Sequence, residues 1–181
     1  PTIADGVVYV GSNDLRVYAL SLQEGSPIWS YATGDQVISR PEVADGRVFV
    51  GSWDGRLYAL NASNGELLWR FATGGKVDSS PTASYGLLYV GSHDGRVYCL
   101  NASTGMVGYD WELHNTVVWS FATDGMIMFS TPAIADGKIY VGSYDGKIYA
   151  LDALTGAYLW SYQMGFAIVS SPAVVDGVVY I

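Results

Sequence analysis

The sequence of 181 residues holds a single cysteine, two histidines, six prolines and no run of eighteen apolar residues. One thiol, Cys99, excludes an intrachain disulfide framework and any cysteine-rich zinc site. Without a long apolar run, no segment of the sequence reads as a membrane-spanning helix. Basic residues are scarce as well: nine Lys and Arg stand against seventeen Asp and Glu, for a net charge of −8. Nucleic acid is therefore not an expected partner, because its phosphates call for a field of the opposite sign. Charged residues make up only 14% of the chain and hydrophobic ones 50%, which excludes disorder.

What the chain has in abundance is glycine and aromatics: 22 Gly, 14 Tyr and six Trp. Glycine weakens helix interiors and aromatics favour pleated, half-buried surfaces, so an all-β fold is expected. Self-comparison then shows a repeat. Pro1, Pro41, Pro81, Pro132 and Pro172 each open a segment P-x-x-x-D-G-x-[VIL]-[YF]-V, with Ser84, Tyr85 and Gly86 departing once from the pattern. A second block, G-S-x-D-G-[RK]-[VLI]-Y-[AC]-L, recurs at Gly11, Gly51, Gly91 and Gly142, with Leu15 where the others have glycine. Each unit closes on a tryptophan: Trp29, Trp69, Trp119 and Trp160. The units run 1–40, 41–80, 81–131 and 132–171, and 172–181 opens a fifth.

Within a unit, period-two alternation broken at glycines reads as short strands joined by tight turns. In the second unit the strands are expected near Val37–Ala44, Arg47–Trp53, Arg56–Leu60 and Glu66–Phe71, with Asp45-Gly46 and Asp54-Gly55 as hairpin turns. Four short antiparallel strands every forty-odd residues make a propeller blade, whose apolar faces are buried only against the neighbouring blades. The third unit carries ten extra residues, 106–115, and one more before Pro132. That insertion reads equally as a functional loop and as unpatterned loop growth.

These residues carry a family resemblance. Ala150-Leu-Asp-Ala-Leu-Thr-Gly-Ala-Tyr-Leu-Trp160 matches A-x-D-x-x-T-G-x-x-x-W, and Ala59 to Trp69 matches with Asn61 and Asn64 as substitutes. The chain resembles the quinoprotein alcohol dehydrogenase-like β-propellers, or PQQ-like repeats, of which this is the tryptophan-docking motif. The resemblance implies four-stranded blades whose tryptophans pack against the next blade, and an extracytoplasmic location. Complete members are usually seven- or eight-bladed, which at about forty residues per blade needs roughly 280–320 residues. The chain is thus expected to be a window from a longer ring, its gene product starting upstream of Pro1. A closed four-bladed ring and the pairing of two copies are the alternatives.

The quinone enzymes of this family hold their cofactor between a tryptophan and an adjacent-cysteine disulfide, with calcium nearby. One cysteine cannot make that disulfide. Asp14, Asp54, Asp94 and Asp145 hold the same slot in each unit, which argues for turn formation over catalysis. His93 and His114 lie in no ligand-spaced cluster. No catalytic, cofactor or metal constellation is read from the sequence. PQQ with calcium belongs only to the alternative, a fragment of a PQQ-dependent dehydrogenase.

Propeller geometry places the turn between the second and third strands on the same face as the connection to the next blade. The variable residue of G-S-x-D-G reads Asn13, Trp53, His93 and Tyr144, and the connections add Lys76, Met126, Met128, Met164 and Phe166. Trp53, His93, Tyr144, Met126 and Phe166 form the candidate partner-binding face, since such side chains are enriched at interfaces. Local packing against neighbouring loops is the other reading. Asn61 and Asn101 stand in glycosylation sequons and equally in turn-forming slots. The function expected is a non-catalytic scaffold that contacts a protein partner or a cell-surface component.

Overall fold

The computed structural model describes residues 1–104 and 117–181; the insertion 106–115, with His114, lies outside the described residues. The first sheet is β1 (Thr2–Ala4), β2 (Val7–Gly11), β3 (Arg16–Ser21) and β4 (Pro27–Ala32). The second is β5 (Glu42–Ala44), β6 (Arg47–Gly51), β7 (Arg56–Asn61) and β8 (Leu67–Ala72). The third is β9 (Thr82–Ser84), β10 (Leu87–Gly91), β11 (Arg96–Asn101) and β12 (Val117–Ala122). The fourth is β13 (Ala133–Ala135), β14 (Lys138–Gly142), β15 (Lys147–Asp152) and β16 (Tyr158–Gln163), and β17 (Ala173–Val175) with β18 (Val178–Tyr180) pair beside it. Each sheet is an antiparallel meander in sequence order. Among the described residues there is no helix, hence none long and apolar enough to cross a membrane.

The innermost strand is shorter than the sequence suggests. Val37 to Arg40 form the crossing between sheets, and pairing starts only after Pro41, which lacks a donor for the ladder. At the far end of that strand the Asp45-Gly46 turn has φ of 50° and 70°, as a tight two-residue hairpin requires.

No sheet has a core of its own. Tyr9, Val17, Ala19 and Trp29 of the first pack with Val48, Val50, Tyr58 and Leu60 of the second. Phe49, Leu57 and Ala59 of the second pack with Leu88, Val90, Tyr98 and Leu100 of the third. Tyr89, Val97, Cys99 and Trp119 in turn meet Ile139, Val141, Tyr149 and Leu151 of the fourth. The hydrophobic layers therefore lie between sheets, which makes each sheet a blade.

The tryptophans fasten these layers. Trp29 Nε1 donates to the Ala62 carbonyl at 2.9 Å, Trp69 Nε1 to Ala102 at 3.3 Å and Trp119 Nε1 to Ala153 at 3.0 Å, in each case in the next blade. The indole lies so close to the next blade's turn that a Cβ on Gly65 would sit 2.7 Å from Trp29, and one on Gly156 2.5 Å from Trp119. A second close approach repeats nearer the axis. A Cβ on Gly51 would meet Val77 at 2.4 Å, and one on Gly91 would meet Ile127 at 2.2 Å. The glycine ending each second strand thus admits the apolar residue of the next crossing.

Candidate interaction face

The repeated aspartates hold the turns in place. Asp54 Oδ1 accepts from Arg56 N at 3.0 Å, while its Oδ2 takes the Tyr58 hydroxyl and Gly34 N, at 2.9 Å, from the crossing of the previous blade. Asp94 repeats this with Arg96 N, Tyr98 and Gly74 N, and Asp145 with Lys147 N, Tyr149 and Asp124 N. Asp14 binds Arg16 N and the Tyr18 hydroxyl. With both oxygens occupied, Asp54, Asp94 and Asp145 each tie their own turn to the preceding crossing, whereas Asp14 braces only its own turn. These bonds hold the Asp14 carboxyl below the usual carboxylate range, the Tyr18 hydroxyl contributing most.

The residue before each of these aspartates is fixed from the other side. Trp53 N donates to Gln36 O at 2.9 Å, His93 N to Lys76 O at 2.9 Å and Tyr144 N to Met126 O at 2.8 Å. Turn and crossing thus alternate along one face of the blades. On it, Lys76 Nζ stands 3.7 Å from the centre of the Trp53 ring, and the Trp53 Nε1 is buried with no hydrogen-bond partner among the described residues. Further along, Met126 is 42% exposed, Tyr144 49% and Phe166 87%. The five residues expected on one face are brought to it, but they are not equivalent. His93 is turned inward and Lys76 lies over the Trp53 ring, whereas Met126, Tyr144 and Phe166 present apolar surface to solvent.

His93 is held by a residue that the sequence reading passed over. Its Nε2 lies 2.7 Å from Asp78 Oδ2, and the other oxygen of Asp78 accepts from Phe129 N at 3.1 Å. The Asp78 side chain is wholly buried. Ile38 and Val169 occupy the same slot in other crossings, so a buried carboxylate replacing them was the signal to look for. Phe129 is the extra residue before Pro132; it has φ of 58°, unusual for a bulky side chain, and is 43% exposed on the same face. Asp78 thus ties the second crossing to the third.

Elsewhere the candidate chemistry resolves into packing. Cys99 fills the small-residue slot of Ala19, Ala59 and Ala150 with no exposure, and burial pushes its thiol up to about 12. Among the described residues no three of His, Cys, Asp and Glu gather around a common centre. Asn61 Oδ1 accepts from Ser63 N and Asn101 Oδ1 from Ser103 N, both at 2.9 Å, as Asp152 Oδ1 does from Leu154 N at 3.0 Å.

Comparison with known proteins places this geometry. The family profile described as outer membrane protein assembly factor BamB matches residues 1–107 and 112–181. The crystal structure of BamB from Moraxella catarrhalis superposes with a TM-score of 0.78 at 26% identity, over 97% of this chain and 51% of that one. A quinohemoprotein alcohol dehydrogenase from Pseudomonas putida HK5 superposes with a TM-score of 0.74 at 23% identity, over 99% of this chain and 37% of that one, a likeness of fold alone. Over 41 residues the chain is 51% identical to lupanine 17-hydroxylase (cytochrome c) of Pseudomonas sp, which is 23% of this chain and 6% of that protein. The chain spans about half the length of the BamB structure and less of the two enzymes.

Proposed function

This chain belongs to the PQQ-like repeat propellers described as outer membrane protein assembly factor BamB, and from that premise we propose that it is a protein-interaction scaffold in the assembly of outer-membrane proteins, acting outside the cytoplasm. The observation that carries the reading is the row Met126, Tyr144 and Phe166, apolar side chains exposed on the face where turns and crossings meet. A few anchoring side chains, aromatic ones prominent among them, dominate interface energy. The exposed Lys76 ammonium, seated over the Trp53 ring, offers a partner a charged contact beside the apolar row.

Photo-crosslinking tests this in a bacterium with an outer membrane. A benzophenone side chain placed at position 53, 144 or 166 is expected to yield adducts with outer-membrane assembly proteins identified by mass spectrometry. The same group at Ile28 or Leu68, on the outer edges of the blades, is expected to yield none. Adducts confined to Ile28 and Leu68 overturn the assignment of this face. In the same assay Trp53→Ala and Tyr144→Ala are expected to weaken capture without changing the thermal transition.

A second reading has its own support in the 41 residues shared with lupanine 17-hydroxylase: the chain is part of a quinone-dependent dehydrogenase. Adding PQQ and calcium to the protein and following dye reduction together with thermal shift separates the two. The scaffold reading predicts neither response; a shift accompanied by dye reduction replaces it with the enzyme.

A further inference from the structure

A cleft of about 880 Å³ runs along the inner strands β9 and β13 of the third and fourth blades, away from the interaction face. Its lower lip is formed by two side chains that break the repeat. Tyr85 occupies the turn slot held by Asp5, Asp45, Asp136 and Asp176 in the other blades. It keeps the left-handed φ of 50° that suits Asp before Gly, yet its ring is 99% exposed and its hydroxyl makes no hydrogen bond among the described residues. Also lining the cleft, Leu154 stands where Ser63 and Ser103 stand in the preceding blades, and it is 68% exposed. Among the described residues neither substitution is repaid by packing. Both fall on the same cleft, one on each wall.

At the other end of the cleft lies Arg40. Its sister positions are Ser80, Thr131 and Ser171. Its backbone N donates to Ser80 Oγ at 2.9 Å, but its guanidinium has no carboxylate and no hydrogen-bond partner among the described residues. Between the two ends stand Thr82, Ser84 and Thr131, the hydroxyls of Ser84 and Thr131 being unpaired among the described residues. Two carboxylates also stand at the cleft, Asp136 beside the lip and Glu42, whose Oε1 accepts from Ala83 N at 3.2 Å, so Arg40 is the one cation among the described lining residues and marks the end of the cleft suited to a ligand's negative charge.

We propose that this cleft binds the C-terminal end of an extended peptide, its carboxylate at Arg40 and an apolar side chain between Tyr85 and Leu154. A bare hydrocarbon acid would satisfy Arg40 and the lip, but it would leave the hydroxyls along the walls without partners. A peptide brings amides at that spacing. The strained, exposed tyrosine fits this use: a conformational cost carried at a site of binding, with an aromatic ring as the platform.

The test titrates the chain with a panel of fluorescein-labelled pentapeptides whose last residues are apolar. Each is made with a free C-terminal carboxylate and as its amide, with laurate as a separate arm. Variants take the sister residues, so folding is retained: Arg40→Ser, Tyr85→Asp and Leu154→Ser. The free acids are expected to bind at least tenfold more tightly than the amides, and Arg40→Ser to abolish that difference. Tyr85→Asp should weaken both forms at least tenfold while raising Tm by a few degrees, because strain leaves the turn. Equal binding of acid and amide, affinities unchanged in the three variants, laurate binding as tightly as the peptides, or no peptide bound below about 1 mM each overturn the proposal.

Discussion

The repeat tells which individual residues are working and which are out of place. Leu15 has φ of 71° where Gly55, Gly95 and Gly146 occupy the same slot. A left-handed conformation costs a residue with a Cβ about 1–2 kcal/mol, partly offset by the greater unfolded freedom of glycine. Leu15→Gly is therefore expected to raise unfolding stability by about 0.5–1 kcal/mol in urea titration. Protonation gives a second residue-scale test. Backbone and hydroxyl donors from Thr155 hold the Asp152 carboxyl below its ordinary range, as the Tyr18 hydroxyl holds Asp14. A depressed folded pKa gives stability that is present above the unfolded value and is lost as pH falls through the folded one. Burial and the Asp54 carboxylate push Tyr58 up to about 12, so its contribution is present below pH 10 and is lost as pH rises toward 12. Tm should accordingly fall on both sides of a plateau, and Tyr58→Phe should flatten the alkaline limb. The turn role of the aspartates was legible because it repeats. The grip of Asp78 on His93 was not, because fifteen residues separate them and the register of two loops decides whether they meet.

At the scale of the blade, the fastening of one sheet to the next sets the energetics. Trp119 is 9% exposed and hydrogen-bonded to the following blade, whereas Trp160, beside β17 and β18, is 38% exposed. Trp119→Ala should cost about 3–5 kcal/mol and Trp160→Ala under about 2 kcal/mol. Gly65→Ala, which drives a methyl group into the Trp29 indole and strains a φ of 73°, should cost about 1–3 kcal/mol. Denaturant titration of the three variants checks the order, and equal losses for the two tryptophans would contradict docking as its source. Strand positions were legible to within a few residues, since alternation and the Asp-Gly turns mark them. The exception is the first strand of each blade: the same apolar alternation runs through the crossing, and only the missing donor of proline tells where pairing begins.

For the whole molecule, the radial stacking followed from a repeat too short to bury its own faces, and the hydrophobic layers between blades agree with it. The interaction face was legible in part. Its residues could be placed on one side by counting turns, but not their exposure, which depends on how Lys76 folds over Trp53 and how Asp78 draws His93 inward. The cleft at Arg40 was not legible, since its walls come from separate blades and its residues look like ordinary departures from a pattern. Function in this account lies where equivalent blades stop being equivalent. Hydrogen exchange across the chain, with and without the assembly protein recovered by crosslinking, tests this most directly. The account predicts protection confined to the crossings at 36–38, 76–78, 126–129 and 164–169 and the turns at Trp53, His93 and Tyr144. Protection along the outer strands β4, β8 and β16, with those loops unchanged, would contradict it.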